Sequence, residues 1–488
     1  MTADGRDGCD VDQVTRKRMD VLPNDILLEI FDFNMNPEYT AYGNKTKVES
    51  WRSLVHVCRR WRSLVFGSPR RLKLRLYCTP KTPARDTLDI WPALPLIVDS
   101  ITPFSSGTDN IIAALGHSNR VCIVSLLALA DWQLEEVLAV MQVSFPELTD
   151  LRLLSYRSYR ETPPVIPDSF LDRSAPRLQY FELTGIPFPG LPKLLLSATQ
   201  LVYLWLFDIP HSGYISPETM VALLCTLSSL DTLHLGFQSP QSRPDSETQG
   251  LPPPKRSILP ALRNFYFRGV TEYLEELVTP IDTPQLYDMH ITFFNQIDFD
   301  CQRLAQFINY TPNLRAPSEA HLLFVDVTAS VILRYWRSDN DLDELRIDIP
   351  YREPDWQLSS IEQVCNSALH PLSMVEDLYI ECEYPPLVWE DDAIENTLWL
   401  ELLLPFTAVI NSYLSKEFAP GIAASLQELV EGRITEVLPS LQNVFVEVLE
   451  ASGPFRENIG QFVTARQLSN LPIAIFDWEE EDSDVEFV

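Results

Sequence analysis

Along most of the chain, apolar and polar residues follow one phrase, Leu-x-x-Leu-x-Leu with conservative replacements. It occurs at Leu148, Leu151, Leu153; at Leu178, Phe181, Leu183; at Leu201, Leu204, Leu206; and at Leu230, Leu233, Leu235. It continues at Leu262, Phe265, Phe267; Leu286, Met289, Ile291; Leu322, Val325, Val327; and Leu342, Leu345, Ile347. The last copies are Val375, Leu378, Ile380 and Leu441, Val444, Val446, with a degraded one over Val409 to Leu414. The final two apolar residues are two apart, so the phrase predicts a short strand with one buried face. Segments between copies carry helical periodicity: Glu218 to Leu230, Cys301 to Asn309, Ser359 to Leu369, Ile394 to Leu404 and Ile422 to Val437. One such unit cannot bury its face alone, so neighbours must stack. Strand then helix, at intervals of roughly thirty residues, predicts an α/β solenoid with parallel strands and outer helices. The competing expectation is an ordinary leucine-rich α/β domain.

The region before this array reads differently. Pro23 suits a first helical turn, and Ile26, Leu27, Ile30 and Phe31 then form one stripe. Trp51, Leu54, Val57, Cys58, Trp61, Leu64 and Val65 recur at three and four residues, with Arg59, Arg60 and Arg62 off that face. Between the two helices, Asp32 to Ser50 is polar and rich in turn formers, which predicts a loop. So small a helix pair is marginal alone and needs another surface.

In order and spacing, Leu22-Pro23-x-Asp25-Ile26-Leu27-x-x-Ile30-Phe31 and Trp51-x-x-Leu54-x-x-Val57-Cys58-Arg59-x-Trp61-Arg62-x-Leu64 resemble an F-box. The array that follows resembles leucine-rich repeats, in the layout of the F-box proteins of mushroom-forming fungi. It departs from them where those repeats place Asn or Cys: Tyr156, Ile186, Ile209, Gln238, Val270, Phe294, Pro350 and Glu383 stand there instead. An irregular arc is therefore expected. The resemblance implies a substrate receptor of an SCF-type ubiquitin ligase. Leu22, Pro23, Ile26, Leu27, Ile30, Phe31, Trp51, Leu54, Val57, Cys58, Trp61 and Leu64 would dock on the Skp adaptor, itself held by the cullin scaffold. Of these, Leu22, Pro23, Ile26, Leu27, Ile30, Trp51, Leu54, Val57 and Trp61 should be exposed in the lone chain. The alternative is a non-degradative repeat scaffold that the helices merely cap.

Composition narrows the choice of partner. The chain has 488 residues, 45% of them hydrophobic, and a formal net charge of −30. That balance argues against nucleic acid and against an anionic membrane as partners. No apolar run is long enough for a membrane span, and the polar N-terminus is not a secretory signal. None of the eight cysteines lies in a CxxC pair, which fits buried, reduced thiols and a cytoplasmic or nuclear location. The expected layout is an unstructured 1–19, the F-box at 20–66, a linker with a strand (Leu72, Leu74, Leu76, Cys78) at 67–96, the array at 97–475 with a mobile loop at 239–256, and an acidic tail at 476–488.

Catalytic motifs are missing from the sequence. There is no Gly-rich phosphate loop, GxSxG, HExxH or paired Cys/His spacing, so no catalytic residue, metal ligand or cofactor is expected. Asp391, Asp392 and Glu395 read as a solvated helix start. The target protein is expected on the strand layer, at residues alternating with the buried leucines: Tyr180, Glu182, Tyr203, Trp205, His234, Tyr266, His290, Arg346 and Tyr379.

Overall fold

A computed structural model describes residues 22–35, 50–67, 73–81, 84–90, 93–100, 107–155, 164–240, 256–294, 301–325, 328–335, 343–350, 354–367, 372–383, 396–430, 432–447 and 453–478. The polar N-terminus, the acidic run from Glu479, most of the 239–256 loop, and Asp391, Asp392 and Glu395 lie outside them.

Three helices open the chain: α1 (Asn24–Met35), α2 (Ser50–Val57) and α3 (Arg59–Gly67). The first takes in four residues of the polar stretch expected to be loop. Their core is Leu27, Leu28, Phe31, Leu54, Val55 and Val65, a cluster separate from the one that runs through the rest of the molecule.

The array is one sheet of sixteen strands among the described residues. The first six are β1 (Leu74–Tyr77), β2 (Leu96–Ser100), β3 (Val121–Leu129), β4 (Asp150–Ser155), β5 (Tyr180–Thr184) and β6 (Tyr203–Ile209), each parallel to the next. Then come β7 (Thr232–Phe237), the two-residue β8 (Ser257–Ile258), β9 (Asn264–Gly269), the two-residue β10 (Ile281–Asp282) and β11 (Asp288–Phe293). β8 and β10 pair with each other outside the main sheet. β12 (Glu319–Val325), β13 (Thr328–Tyr335), β14 (Asp343–Pro350), β15 (Asp377–Glu383), β16 (Asn411–Leu414), β17 (Asn443–Glu447) and β18 (Ala474–Trp478) complete it.

The register explains the phrase. Leu151 and Leu153 stand beside Phe181 and Leu183, then Leu204 and Leu206, then Leu233 and Leu235, then Phe265 and Phe267. All are buried against helices such as α8 (Pro217–Leu224), α9 (Thr271–Val278) and α10 (Gln302–Tyr310). Each unit thus supplies one apolar rung. The degraded copy holds its place, with Ser412 opposite Leu378 and Leu414 opposite Ile380. Contacts between units also satisfy helix ends. The Glu275 carboxylate on α9 accepts from the backbone N–H groups of Arg303 and Leu304, 2.7 and 3.1 Å away, at the start of α10.

The α/β solenoid expectation therefore describes the architecture, with four corrections. First, β1 is the first strand of the sheet, so the array begins within the supposed linker. Second, Phe476 to Trp478 belong to its last strand and not to a tail. Third, the sheet is not wholly parallel. Its order is β11-β14-β13-β12-β15, and β13 runs antiparallel to both neighbours. The copy at Leu322, Val325, Val327 is also misregistered: Ala320 and Leu322 align with Leu378 and Ile380, and Val325 lies near the strand end, half-buried. Fourth, several helices are shorter or shifted. The one expected at Glu218 to Leu230 ends at Leu224, and that at Ile422 to Val437 is α13 (Ala419–Gln427) followed by a 3-10 turn. Chain-order labels for the intervening helices are α4 (Ala84–Ile90), α5 (Thr108–Leu115), α6 (Asp131–Val140), α7 (Leu191–Leu195), α11 (Pro354–Asn366) and α12 (Asn396–Leu403).

The last helix, α14 (Pro454–Leu468), carries a buried guanidinium. Arg466 donates to the carbonyls of Ile434, Pro439 and Leu441, tying this helix to the loop before β17. Cys78, Cys122, Cys301 and Cys365 are buried thiols as expected, whereas Cys58 and Cys225 are exposed.

Candidate interaction surfaces

The face of the sheet opposite the helices carries the residues that alternate with the leucines. One register position runs Arg152, Glu182, Trp205, His234, Tyr266, His290, Arg346, then Ile332, His321, Tyr379, Tyr413, Phe445 and Phe476. The position two residues earlier contributes Tyr180 and Tyr203. Parallel strands in register hold identical positions about 4.8 Å apart, close to the centre-to-centre spacing of two stacked rings.

Two aromatic ladders result. In the first, Tyr180 stacks on Tyr203 at 4.2 Å, Trp205 on His234 at 3.7 Å, and His234 on Tyr266 at 3.9 Å. The Arg152 guanidinium caps its open end, 4.1 Å from the Tyr180 ring. In the second, His321, Tyr379, Tyr413, Phe445 and Phe476 stack in sequence at 4.2 to 5.0 Å, and Trp478 lies edge-on to Tyr379 and Tyr413. Between the ladders the strands of the β12 to β14 unit bring charge.

That charged patch could be mistaken for a catalytic site. His290 Nε2 donates to Asp348 Oδ2 at 2.6 Å, while Ser330 Oγ and Arg346 Nε donate to Asp348 Oδ1 at 2.6 and 2.8 Å. Serine and histidine hold the same carboxylate from two sides and do not touch each other, so the histidine does not activate the hydroxyl. Burial opposes the Asp348 charge, but these donors outweigh it and lower the pKa. The arrangement is a clamp that pins β11, β13 and β14 together.

His321 sits in a comparable frame. Its Nδ1 is 3.1 Å from the Glu381 carboxylate, and its Nε2 is 2.9 Å from Arg334 Nη1. Burial alone would lower its pKa; hydrogen bonding to Glu319 and Glu381 outweighs that and raises it. His234 behaves in the opposite way. Burial between two rings, helped by nearby His290, pushes its pKa down to about 3, so it is neutral and stacks as an aromatic ring.

The sequence-derived face is thus brought together. Tyr180, Tyr203, Trp205, His234, Tyr266, His290, Arg346 and Tyr379 lie on one side of the sheet, each half-buried. Sequence reasoning missed His321, Tyr413, Phe445, Phe476 and Trp478. Applying the same position rule to the degraded and final copies would have found Tyr413 and Phe445.

The helical segment differs from its expectation in a telling way. Leu27, Phe31 and Leu54 are buried within it and are not available to a partner. Phe31 packs against Trp61 at 4.8 Å; Leu22, Trp61 and Leu64 are half-buried against the same cluster. Arg60 donates to Asn24 Oδ1 at 2.8 Å and Arg62 to the Val55 carbonyl at 2.9 Å, which fixes the helices in place. What remains outside is Pro23, Cys58, and the apolar side chains of Ile26, Ile30 and Val57, which are 47%, 46% and 55% exposed. The Trp51 side chain lies outside the described residues.

No family model matches this chain, and no curated protein matches it. Solved structures do. The leucine-rich repeat-containing protein LegL7 from Legionella pneumophila is similar over 80% of this chain and 97% of its own, at 11% identity and a TM-score of 0.28. The structure of a TLR13–ssRNA13 complex is similar over 83% of this chain and 48% of its own, at 10% identity and a TM-score of 0.31. Among the described residues, no helix is long and apolar enough to cross a membrane, and no cluster of three or more His, Cys, Asp or Glu side chains could hold a metal ion.

Proposed function

We propose that this chain is the target-recognising subunit of an SCF-type ubiquitin ligase: α1 to α3 dock on a Skp adaptor and the ringed sheet face holds the protein to be modified. The chain performs no bond chemistry itself. It raises the concentration of the target near the charged ubiquitin carrier. The observation that carries this reading is the independent core of α1 to α3, with Ile26, Ile30 and Val57 left outside it. A segment that only capped the array would share the array's core and turn its apolar stripe inward. This segment instead spends its buried residues on itself and presents a second apolar stripe outward.

The target face is supported by the ladder of half-buried rings. Aromatic residues and arginine are enriched among interface anchors. The test is co-expression with the Skp adaptor, followed by affinity capture with the proteasome blocked. Co-purification of the adaptor, together with proteins that accumulate under the block, is expected. Failure of the adaptor to co-purify with folded chain would leave only the scaffold reading.

A further inference from the structure

The small β8–β10 pair frames a pocket on the helix side of the array, across the sheet from the rings. Its walls include Arg256, Ile281, Asp282, Arg303, Gln306 and Tyr310. Backbone pairing fixes the Arg256 wall: the Ser257 N–H donates to the Pro280 carbonyl at 2.7 Å and the Leu259 N–H to the Asp282 carbonyl at 2.8 Å. α10 supplies the other wall. Arg303, Gln306 and Tyr310 are three, then four residues apart, so they share one stripe of the helix, and all three are exposed.

The charges in this pocket are unmatched. The Arg256 guanidinium lies over the Tyr310 ring, 5.0 Å from its centroid, which holds the side chain without giving its N–H donors an acceptor. Among the described residues, neither the Arg256 nor the Arg303 side chain has an ion-pair or hydrogen-bond partner. Other arginines of the chain do: Arg177 meets Glu147, Arg263 meets Asp231 and Arg346 meets Asp348. Glu275 on α9 is spent on the backbone N–H groups of Arg303 and Leu304. Arg315 adds positive charge nearby, donating to the Tyr310 carbonyl at 3.1 Å. With 68 acidic and 38 basic side chains in the chain, two adjacent unmatched arginines mark a place for an anion from outside.

Asp282 limits which anion fits. A fixed carboxylate in the wall repels a dianion more than a monoanion, so the pocket suits a carboxylate better than a phosphate. A planar carboxylate also matches the fork of a guanidinium. The rim is apolar. Tyr310 is 58% exposed, and Ile258, two residues beyond Arg256 and on the same side of an extended strand, is 63% exposed. A second copy of the chain would bring another −30 to this surface, and like charge opposes that pairing.

We propose that this pocket binds an acidic, extended segment of a partner protein, with one aspartate or glutamate carboxylate held by Arg256 and Arg303 and an adjoining apolar side chain on Tyr310 and Ile258. The site lies on the opposite side of the sheet from Tyr203, Trp205 and Tyr266, so the inference does not depend on that face holding the target.

The probe is a short labelled peptide in which glutamate alternates with leucine, titrated against the full chain by fluorescence anisotropy. Saturable binding is expected, and the same peptide with glutamine for glutamate should bind about tenfold more weakly or worse. Arg303→Gln and Arg256→Gln should each weaken binding of the glutamate peptide about tenfold, the scale of one charge-assisted hydrogen bond. Arg177→Gln, at an exposed arginine elsewhere, should leave it unchanged. Arg303 is exposed, so its variant answers the question even if Arg256→Gln fails to fold. Unchanged binding in folded Arg303→Gln would overturn the proposal. So would an equal loss in Arg177→Gln, because the attraction would then be general charge. Tighter binding of a phosphoserine peptide than of its glutamate counterpart would overturn the choice of a carboxylate. Concentration-dependent self-association lost in Arg303→Gln would replace the partner by a second copy. Replacing Tyr203, Trp205 and Tyr266 should leave peptide binding intact, which separates failure at this pocket from failure of the ringed face.

Discussion

The Trp205 indole and the His234 imidazole, one strand apart, stack at 3.7 Å with planes 24° apart. Burial, helped by nearby His290, pushes the His234 pKa down to about 3, so the imidazole in this stack is neutral. The contact also welds the rings of β5, β6, β7 and β9 into one continuous strip.

Replacing Tyr203, Trp205 and Tyr266 together by alanine should remove that strip while the buried leucines stay in place. Loss of captured targets is expected, with adaptor binding retained; truncating one central anchor commonly costs ~2 kcal/mol or more of binding. Mass spectrometry of captured proteins, with adaptor as internal control, measures it. Unchanged capture would remove the face from the account.

On the helical segment, Ile26→Asp with Ile30→Asp should abolish adaptor co-purification with a smaller change in melting temperature than a core substitution gives, because about half of each side chain is already exposed. Phe31→Ala should act differently. It empties a buried ring site and should cost about 3 to 5 kcal/mol within the small cluster. A helical segment that melts separately from the array, and earlier in that variant, is the expected calorimetric result.

Asp99 gives a pH prediction. Its side chain is buried on β2, and burial pushes the pKa up to about 6 despite attraction from Arg75, 3.9 Å away, and from Arg152. The folded pKa exceeds the unfolded one, so the protonated form is favoured by folding. The contribution is full below about pH 4 and is lost as pH rises through about 6. Asp99→Asn should therefore stabilise the chain by about 3 kcal/mol at pH 7.5 and by little near pH 4. Chemical denaturation at the two pH values tests this, and equal shifts at both would contradict it.

Arg466 offers a contrasting case, since its buried charge is met by three carbonyls. Arg466→Ala leaves those acceptors unpaired and opens a void, so a loss of about 3 kcal/mol is expected. Arg466→Lys should recover little, because one ammonium cannot reach all three carbonyls in the guanidinium's planar geometry. Urea midpoints of the two variants decide it.

Much of the array was legible because one physical demand, two apolar side chains on one face of a short strand, repeats in every unit. Tyr203, Trp205 and His234 followed from parity alone. Parity failed at β12, where Ala320, Leu322 and Phe324 are apolar but so are Leu323 and Val325, so either face reads as buried. β13 carries Val331, Ile332 and Leu333 in a run with no phrase to mark it, and strand order is not written in local pattern. Phe476 and Trp478 were hidden by the acidic residues beside them. In α1 to α3 the spacing identified an apolar stripe but not its allocation: Leu27 and Ile26 are neighbours in sequence, and only packing decides which one faces inward.

The reversed strand β13 governs where the chain could be cut, lengthened or duplicated. Elsewhere in the main sheet, with the small β8–β10 pair set aside, each strand sits beside the main-sheet strand before it, so copying a strand with its helix would extend the array by one step and leave both flanks matched. Between Glu319 and Pro350 this modularity stops. β14 reaches β11 only by folding back past β12 and β13, so none of the three can be removed without stranding the other two. They form one inseparable cassette, and the rows of rings on either side can change length independently of each other but not of it.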